Sequence, residues 1–387
     1  MEFTDYLSPL SYGISFPKGS LGESVLFNQV EKNFPDLQGV NLAIVGIEED
    51  RHAVNNIGCG EGPNIVRHYL YQLFLGGNYS VKIADIGNIK QGHTIDDTYF
   101  AVSQVIAELI KRKIVPVIIG GSQDLTYANY KAYELLGQTV NMVAVDPMFD
   151  LGDVDSILDS RTFLGKIMMQ QPNFLFNYSN VGYQTYFVDQ RSINLMSKLF
   201  FDAYRLGEVR GKMEDIEPVI RHADTISFDI SSIKSSDAPG CGNATPNGFY
   251  SEEACQLAKY AGMNDKLSSI GFYEYNPKFD KNEQTAHLLA QMIWCFIDGY
   301  YNRKNDQPLY DTNGFTKYRV ALKSHKYEIL FYKSNKTDRW WMDVPYPSDK
   351  RIKYERHHLV PCSYNDYVTA CNEEMPDRWW QVYQKLS

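Results

Sequence analysis

A chain of 387 residues with 44% hydrophobic content can bury one large α/β domain or two smaller ones. Its formal net charge of -9 argues against a general nucleic-acid or acidic-membrane surface. Six cysteines, Cys59, Cys241, Cys255, Cys295, Cys362 and Cys371, include no C-x-x-C pair, which fits reduced cytosolic thiols better than a disulfide framework or a zinc site. The first six residues lack a basic head followed by an apolar run, and the most apolar stretch, 288–297, is short and contains Gln291. The expectation is a cytoplasmic protein with no membrane span.

Residues 1–39, with Pro9, Pro17 and Pro35, read as an irregular lead-in holding at most a short helix over 24–32. The apolar run 40–47 predicts a buried strand, and Pro63 suits the first turn of a helix over 64–74. A second strand follows at 81–89. Asp96 and Asp97 open a long amphipathic helix ending in Lys111, Arg112 and Lys113, cations that suit a helix C-terminus. The third strand, 114–119, runs into Gly120-Gly121-Ser122-Gln123-Asp124 and a helix to about 136. The fourth, 140–145, has the unbroken apolar character of a parallel strand covered on both faces, and ends in Asp146 and Asp150. D-x-x-x-D at a strand end can offer oxygen ligands to a hard cation, or Asp146 can cap a turn while Asp150 starts a loop.

Beyond a helix at 163–169, strands are expected near 174–184, 199–206, 225–231 and 268–275, with helices over 213–223, 252–262 and 283–302. Strand and helix alternate, so the predicted fold is a three-layer αβα arrangement around a mostly parallel eight-stranded sheet, spanning 40–304. Right-handed crossovers then put every strand's carboxyl end on one edge. From 307 to 387 the pattern changes to a hairpin, 318–323 with 327–332 around Ser324-His325-Lys326, then Trp340-Trp341, a basic stretch over 350–358, and a helix containing Trp379-Trp380. This segment reads as an aromatic C-terminal appendage.

Gln123, Asp124, Asp146, Asp150, Asp229, Ser231 and Glu274 should therefore meet at one edge. Over about 40–304 the chain resembles the ureohydrolases, the arginase, agmatinase and formimidoylglutamase family. Gly120 to Asp124 stands where that family has G-G-D-H-S, Asp146 to Asp150 where it has D-A-H-x-D, and Ser227 to Ser231 where it has S-F-D-x-D. The run 239–246 is similar to its Pro/Gly-rich loop, and Glu274-Tyr275-Asn276-Pro277 to its E-x-N-P, whose glutamate grips the substrate's guanidinium or related group. Asn56-Ile57-Gly58, Gly62-Pro63 and Phe149-Asp150-Leu151 lean toward the formimidoylglutamase branch.

The resemblance implies two manganese ions on two histidines and four aspartates, activating a bridging water, together with a tendency to form trimers or hexamers. Three ligand positions are altered here: Gln123 and Met148 replace the histidines and Ser231 an aspartate. A thioether is a soft ligand, poorly matched to Mn²⁺ or Mg²⁺. Asp146, Asp150 and Asp229, with Gln123 as a neutral donor, remain for one ion. Lys234 either swings toward Asp146 and Asp229 as a substitute cation or points to solvent. The first reading is a catalytically degenerate ureohydrolase-fold protein without a cofactor, serving as a binding or scaffolding subunit; its tryptophans could form a partner surface or pack the appendage onto the main domain. The alternative is a hydrolase of C–N bonds in guanidino or formimino compounds with a single Mn or Mg ion, Glu274 orienting the substrate.

Overall fold

The computed structural model describes residues 2–11, 16–30, 33–76, 79–153, 155–308, 312–322, 327–347 and 355–386. Its main sheet has ten strands: β1 (Leu7–Ser8), β2 (Leu26–Phe27), β3 (Leu42–Ile47), β4 (Ile83–Ile89), β5 (Val115–Ile119), β6 (Val140–Val145), β7 (Leu175–Tyr183), β8 (Asp202–Arg205), β9 (Thr225–Asp229) and β10 (Ser269–Tyr273). Their order is β1-β4-β3-β5-β10-β9-β6-β7-β8, with β2 also on β4, and every pairing but β1 with β4 is parallel.

The eight strands from β3 to β10 stand where the apolar runs place them. The lead-in adds the other two. In place of a helix over 24–32 the chain makes one helical turn, α1 (Leu21–Ser24), and then pairs Leu26 and Phe27 with Ala84 and Asp85. Asn28 fixes that edge by donating its backbone N–H to Asp85 and its side-chain amide to Ile86.

Helices cover both faces: α2 (Gly62–Leu70), α3 (Ile95–Lys111), α4 (Leu125–Leu135), α5 (Phe163–Met169), α6 (Gln190–Lys198), α7 (Leu206–Gly211), α8 (Met213–Arg221), α9 (Ser251–Gly262) and α10 (Gln284–Tyr301). Alternation along β3 shows the two layers. Leu42 and Ile44 join the core beneath α2, α9 and α10, while Ala43, Val45 and Ile47 join the one beneath α3 and α4. Thr94 caps α3 reciprocally with Asp97, which fixes where that helix starts.

The hairpin lies in a second sheet of four antiparallel strands, β11 (Phe315–Leu322), β12 (Tyr327–Ser334), β13 (Trp340–Asp343) and β14 (Leu359–Cys362), followed by helices Tyr364–Cys371 and Asp377–Leu386. Residues 324–326, and 350–354 of the basic stretch, lie outside the described residues. This sheet packs on the end of the main domain: the Arg221 guanidinium lies 4.4 Å from the Trp341 ring centroid, and His357 stacks on Phe176 at 4.0 Å. Trp340, Trp341 and Trp379 are buried, whereas Trp380 is 40% exposed. Among the described residues no helix is long and apolar enough to cross a membrane.

Candidate active site

The strand order places β5, β10, β9 and β6 side by side at the middle of the sheet, so the four acid-bearing strand ends meet at one edge. After β5 the backbone turns sharply through Gly120 and Gly121, at φ 101° and 68°. A Cβ on Gly121 would lie 2.5 Å from the Glu49 carbonyl oxygen, so glycine is required where the loop crosses Glu49. This turn buries Gln123, whose Nε2 donates to Asp146 Oδ2 at 2.7 Å and whose backbone N–H donates to Glu274 Oε1 at 2.7 Å.

Asp146 also accepts the Met148 N–H on Oδ1 at 2.7 Å, so at position 148 the backbone contacts the acid. Asp150, at φ 48°, is hydrogen-bonded side chain to side chain with Asp146. Asp229 Oδ1 accepts the Ser231 N–H at 2.7 Å, and the Ser231 hydroxyl donates to Oδ2. Glu274 sits at φ 70°, with Oε2 taking the Asn56 side-chain amide at 2.7 Å while the same amide bonds the Glu274 carbonyl at 2.9 Å.

All four acids are buried, and burial raises each of them. Asp150 and Asp229 are pushed well above the usual carboxylate range, first by burial and then by the neighbouring Asp146 charge. Glu274 is pushed up to about 7 by burial, against its bonds from Asn56 and Gln123.

Lys234 does not neutralise this cluster. Its ammonium is 3.6 Å from Asp237 Oδ1 and 3.8 Å from the Tyr250 ring centroid, a carboxylate and an aromatic face that hold it outside the acids. The positive charge that acts on Asp146 and Asp150 is that of Arg161, which donates to Asn243 Oδ1 at 2.8 Å. Arg161 and Asn56 are the residues that sequence reasoning did not place at the site. Asn56 had a signal, since its Asn-Ile-Gly context belongs to the resemblance; Arg161 had none beyond following the second motif.

The three carboxylates are right in kind for one hard cation, although the Gln123 amide turns its NH₂ rather than its oxygen to Asp146, and the set is wrong for two, because the second ion would keep only Asp146 and Asp229. Among the described residues, no three or more His, Cys, Asp or Glu side chains are gathered in a metal-holding arrangement. Asp150 instead bonds Asp146, and Asp229 turns to Ser231.

An eight-strand parallel core with acids crowded at its central strand ends defines the ureohydrolase class of α/β proteins. Residues 40–298 match the arginase family, and the chain belongs to that family. Among its curated relatives, the formimidoylglutamase of Staphylococcus haemolyticus is 28% identical over 289 residues, covering 71% of this chain and 91% of that protein. That of Staphylococcus aureus is 26% identical over 290 residues, with the same coverage of 71% and 91%. Solved structures sharing the fold include Trypanosoma cruzi formiminoglutamase with Mn²⁺, at TM-score 0.65 and 22% identity over 70% of this chain and 96% of that one. Bacillus subtilis formimidoylglutamase follows at TM-score 0.62 and 19% identity, covering 71% and 96%. The four-stranded C-terminal sheet lies beyond the family match.

Proposed function

We propose that the chain is a ureohydrolase-type enzyme acting on a C–N bond of a formimino or guanidino compound, with one Mn²⁺-class cation held by Asp146, Asp150 and Asp229. The observation that carries this reading is the trio of buried acids held above their ordinary range beside Glu274. Such acids are neutralised by protons or by a cation, and a divalent ion would displace the protons. The ion would supply Lewis acidity and a more acidic water. Glu274, held by Asn56 and the Gln123 N–H, would accept hydrogen bonds from the amidino nitrogens and orient the group. The formimidoylglutamase relatives favour this reading over the scaffold that the altered motifs suggest first.

A second reading, a pocket that binds such a compound without turning it over, draws on Ser231: its hydroxyl and N–H both occupy Asp229, where the family has another carboxylate. One experiment separates the two. After dialysis against excess Mn²⁺ and brief desalting, the enzyme reading expects about one ion per chain by mass spectrometry, lost in Asp146→Ala, and ammonia or amide release from a formimino or guanidino panel. Near-zero metal in both proteins, with no turnover, would overturn it.

A further inference from the structure

The junction between the main domain and the C-terminal sheet forms a half-open cavity of about 190 Å³, lined by Arg221, His222, Lys266, Trp341, Arg356 and Pro361 among others. It lies by the amino-terminal ends of β9 and β10, opposite the carboxyl ends that carry the acids of the candidate active site, and its character is the reverse: cationic. Lys266 Nζ lies 3.1 Å from Asp224 Oδ2, and Arg356 Nη2 lies 2.8 Å from Asp224 Oδ1, so one buried carboxylate serves two cations. Arg221 is paired with Glu217 at 2.9 Å, but Glu217 is shared with Arg339 at 3.2 Å. Arg339, which is outside the lining, also meets Asp306 at 3.6 Å, so the four cations face three carboxylates and one positive charge is in excess.

His222 provides an independent observation. It is 5% exposed, lines the cavity, and its buried Nε2 has no hydrogen-bond partner. A buried ring nitrogen without a partner is unfavourable unless a ligand meets it. Burial, then the charge of Lys266, holds this imidazole well below its ordinary range, so it is neutral and in the Nε2–H tautomer can donate. Arg221 turns four of its five N–H donors to Glu217 and the Trp340 and Cys362 carbonyls, and contributes mainly charge.

We propose that this junctional cavity binds a phosphate group, through the Arg356 guanidinium, the Lys266 ammonium and the His222 imidazole. Three donor types bordering one small cavity with an excess positive charge suit a tetrahedral oxyanion, which offers more acceptors than a carboxylate. The ligand would span the two parts of the chain, because Arg356 enters from the C-terminal segment and Lys266 and His222 from the main domain.

The test is isothermal titration calorimetry on the full chain in EDTA at constant ionic strength, with inorganic phosphate and phenyl phosphate as separate titrants and chloride as the blank. Saturable binding of inorganic phosphate is expected, weakened about tenfold or more in Arg356→Gln, where one charge-assisted contact is lost. A His222→Phe variant, which keeps the ring's bulk, should weaken it as well. Binding of phosphate alone identifies free phosphate as the ligand class; binding of phenyl phosphate too admits monoesters. Heat indistinguishable from the chloride blank for both titrants overturns the proposal, as does unchanged affinity in both variants, with circular dichroism reporting that each variant is folded.

Discussion

The site's acids set how the metal-free protein responds to pH. Asp150 is held well above the carboxylate range by burial and by Asp146. An acid raised in the folded state binds its proton more tightly there than in the unfolded chain, whose value is about 4. The folded state therefore holds more protons, and stability falls as pH rises from the unfolded value toward the folded one. Replacing Asp150 by Asn removes that dependence, so in EDTA the stability of Asp150→Asn relative to the parent should rise with pH above 5, by at most about 1.4 kcal/mol per pH unit. Excess Mn²⁺ should reverse the ranking at neutral pH, because the parent can exchange its proton for the cation. Urea titrations at pH 5, 6 and 7.5 check this, and a difference independent of pH in EDTA would contradict the assignment of a raised Asp150.

At the scale of elements, the parallel strands were legible because strands covered on both faces read as unbroken apolar runs, and β3, β5 and β6 lie where those runs fall. The convergence of Asp146, Asp229 and Glu274 followed from strand polarity alone. Helix α6 was not legible because polar residues dominate Gln190–Lys198: Ile193, Leu195 and Met196 are its only apolar residues, and of these Met196 alone is buried. The edge strands β1 and β2 were missed because two-residue pairings leave no pattern, and the orientation of Lys234 depends on Asp237 and Tyr250, which no local rule ties to it. A tertiary contact equally hidden in sequence is the close crossing of α9 and α10, behind the strands that present Asp229 and Glu274. A Cβ on Gly299 would lie 2.3 Å from the Lys259 carbonyl oxygen, so Gly299→Ala must part the two helices. We expect a loss of about 1–3 kcal/mol in urea unfolding. Gly207→Ala in helix α7, where a Cβ meets nothing within 4 Å, should be neutral or stabilising by up to about 1 kcal/mol. Equal effects of the two substitutions would refute the close-packing account.

At the scale of the whole molecule, the C-terminal sheet meets helix α8 through Arg221 on Trp340 and Trp341 and through Arg339 on Glu217, while Trp379 packs inside the C-terminal segment itself. Trp379 is fully buried, donates its indole N–H to the Asp343 carbonyl at 2.8 Å, and stacks on Tyr383 at 5.1 Å. Trp380, its neighbour, is 40% exposed and stacks on the other side of the same network, 5.8 Å from Tyr383. If the aromatic richness serves packing, the two neighbours should differ sharply in their contribution to stability. Trp379→Ala leaves a large cavity and an unpaired carbonyl, a loss of about 3–5 kcal/mol, whereas Trp380→Ala removes a partly solvated ring and should cost under about 1 kcal/mol. Acrylamide quenching compared with the parent should show Trp380→Ala losing the more accessible fluorescence. A result in which Trp379→Ala is as stable as the parent would contradict a packing role for the aromatic core of the C-terminal segment.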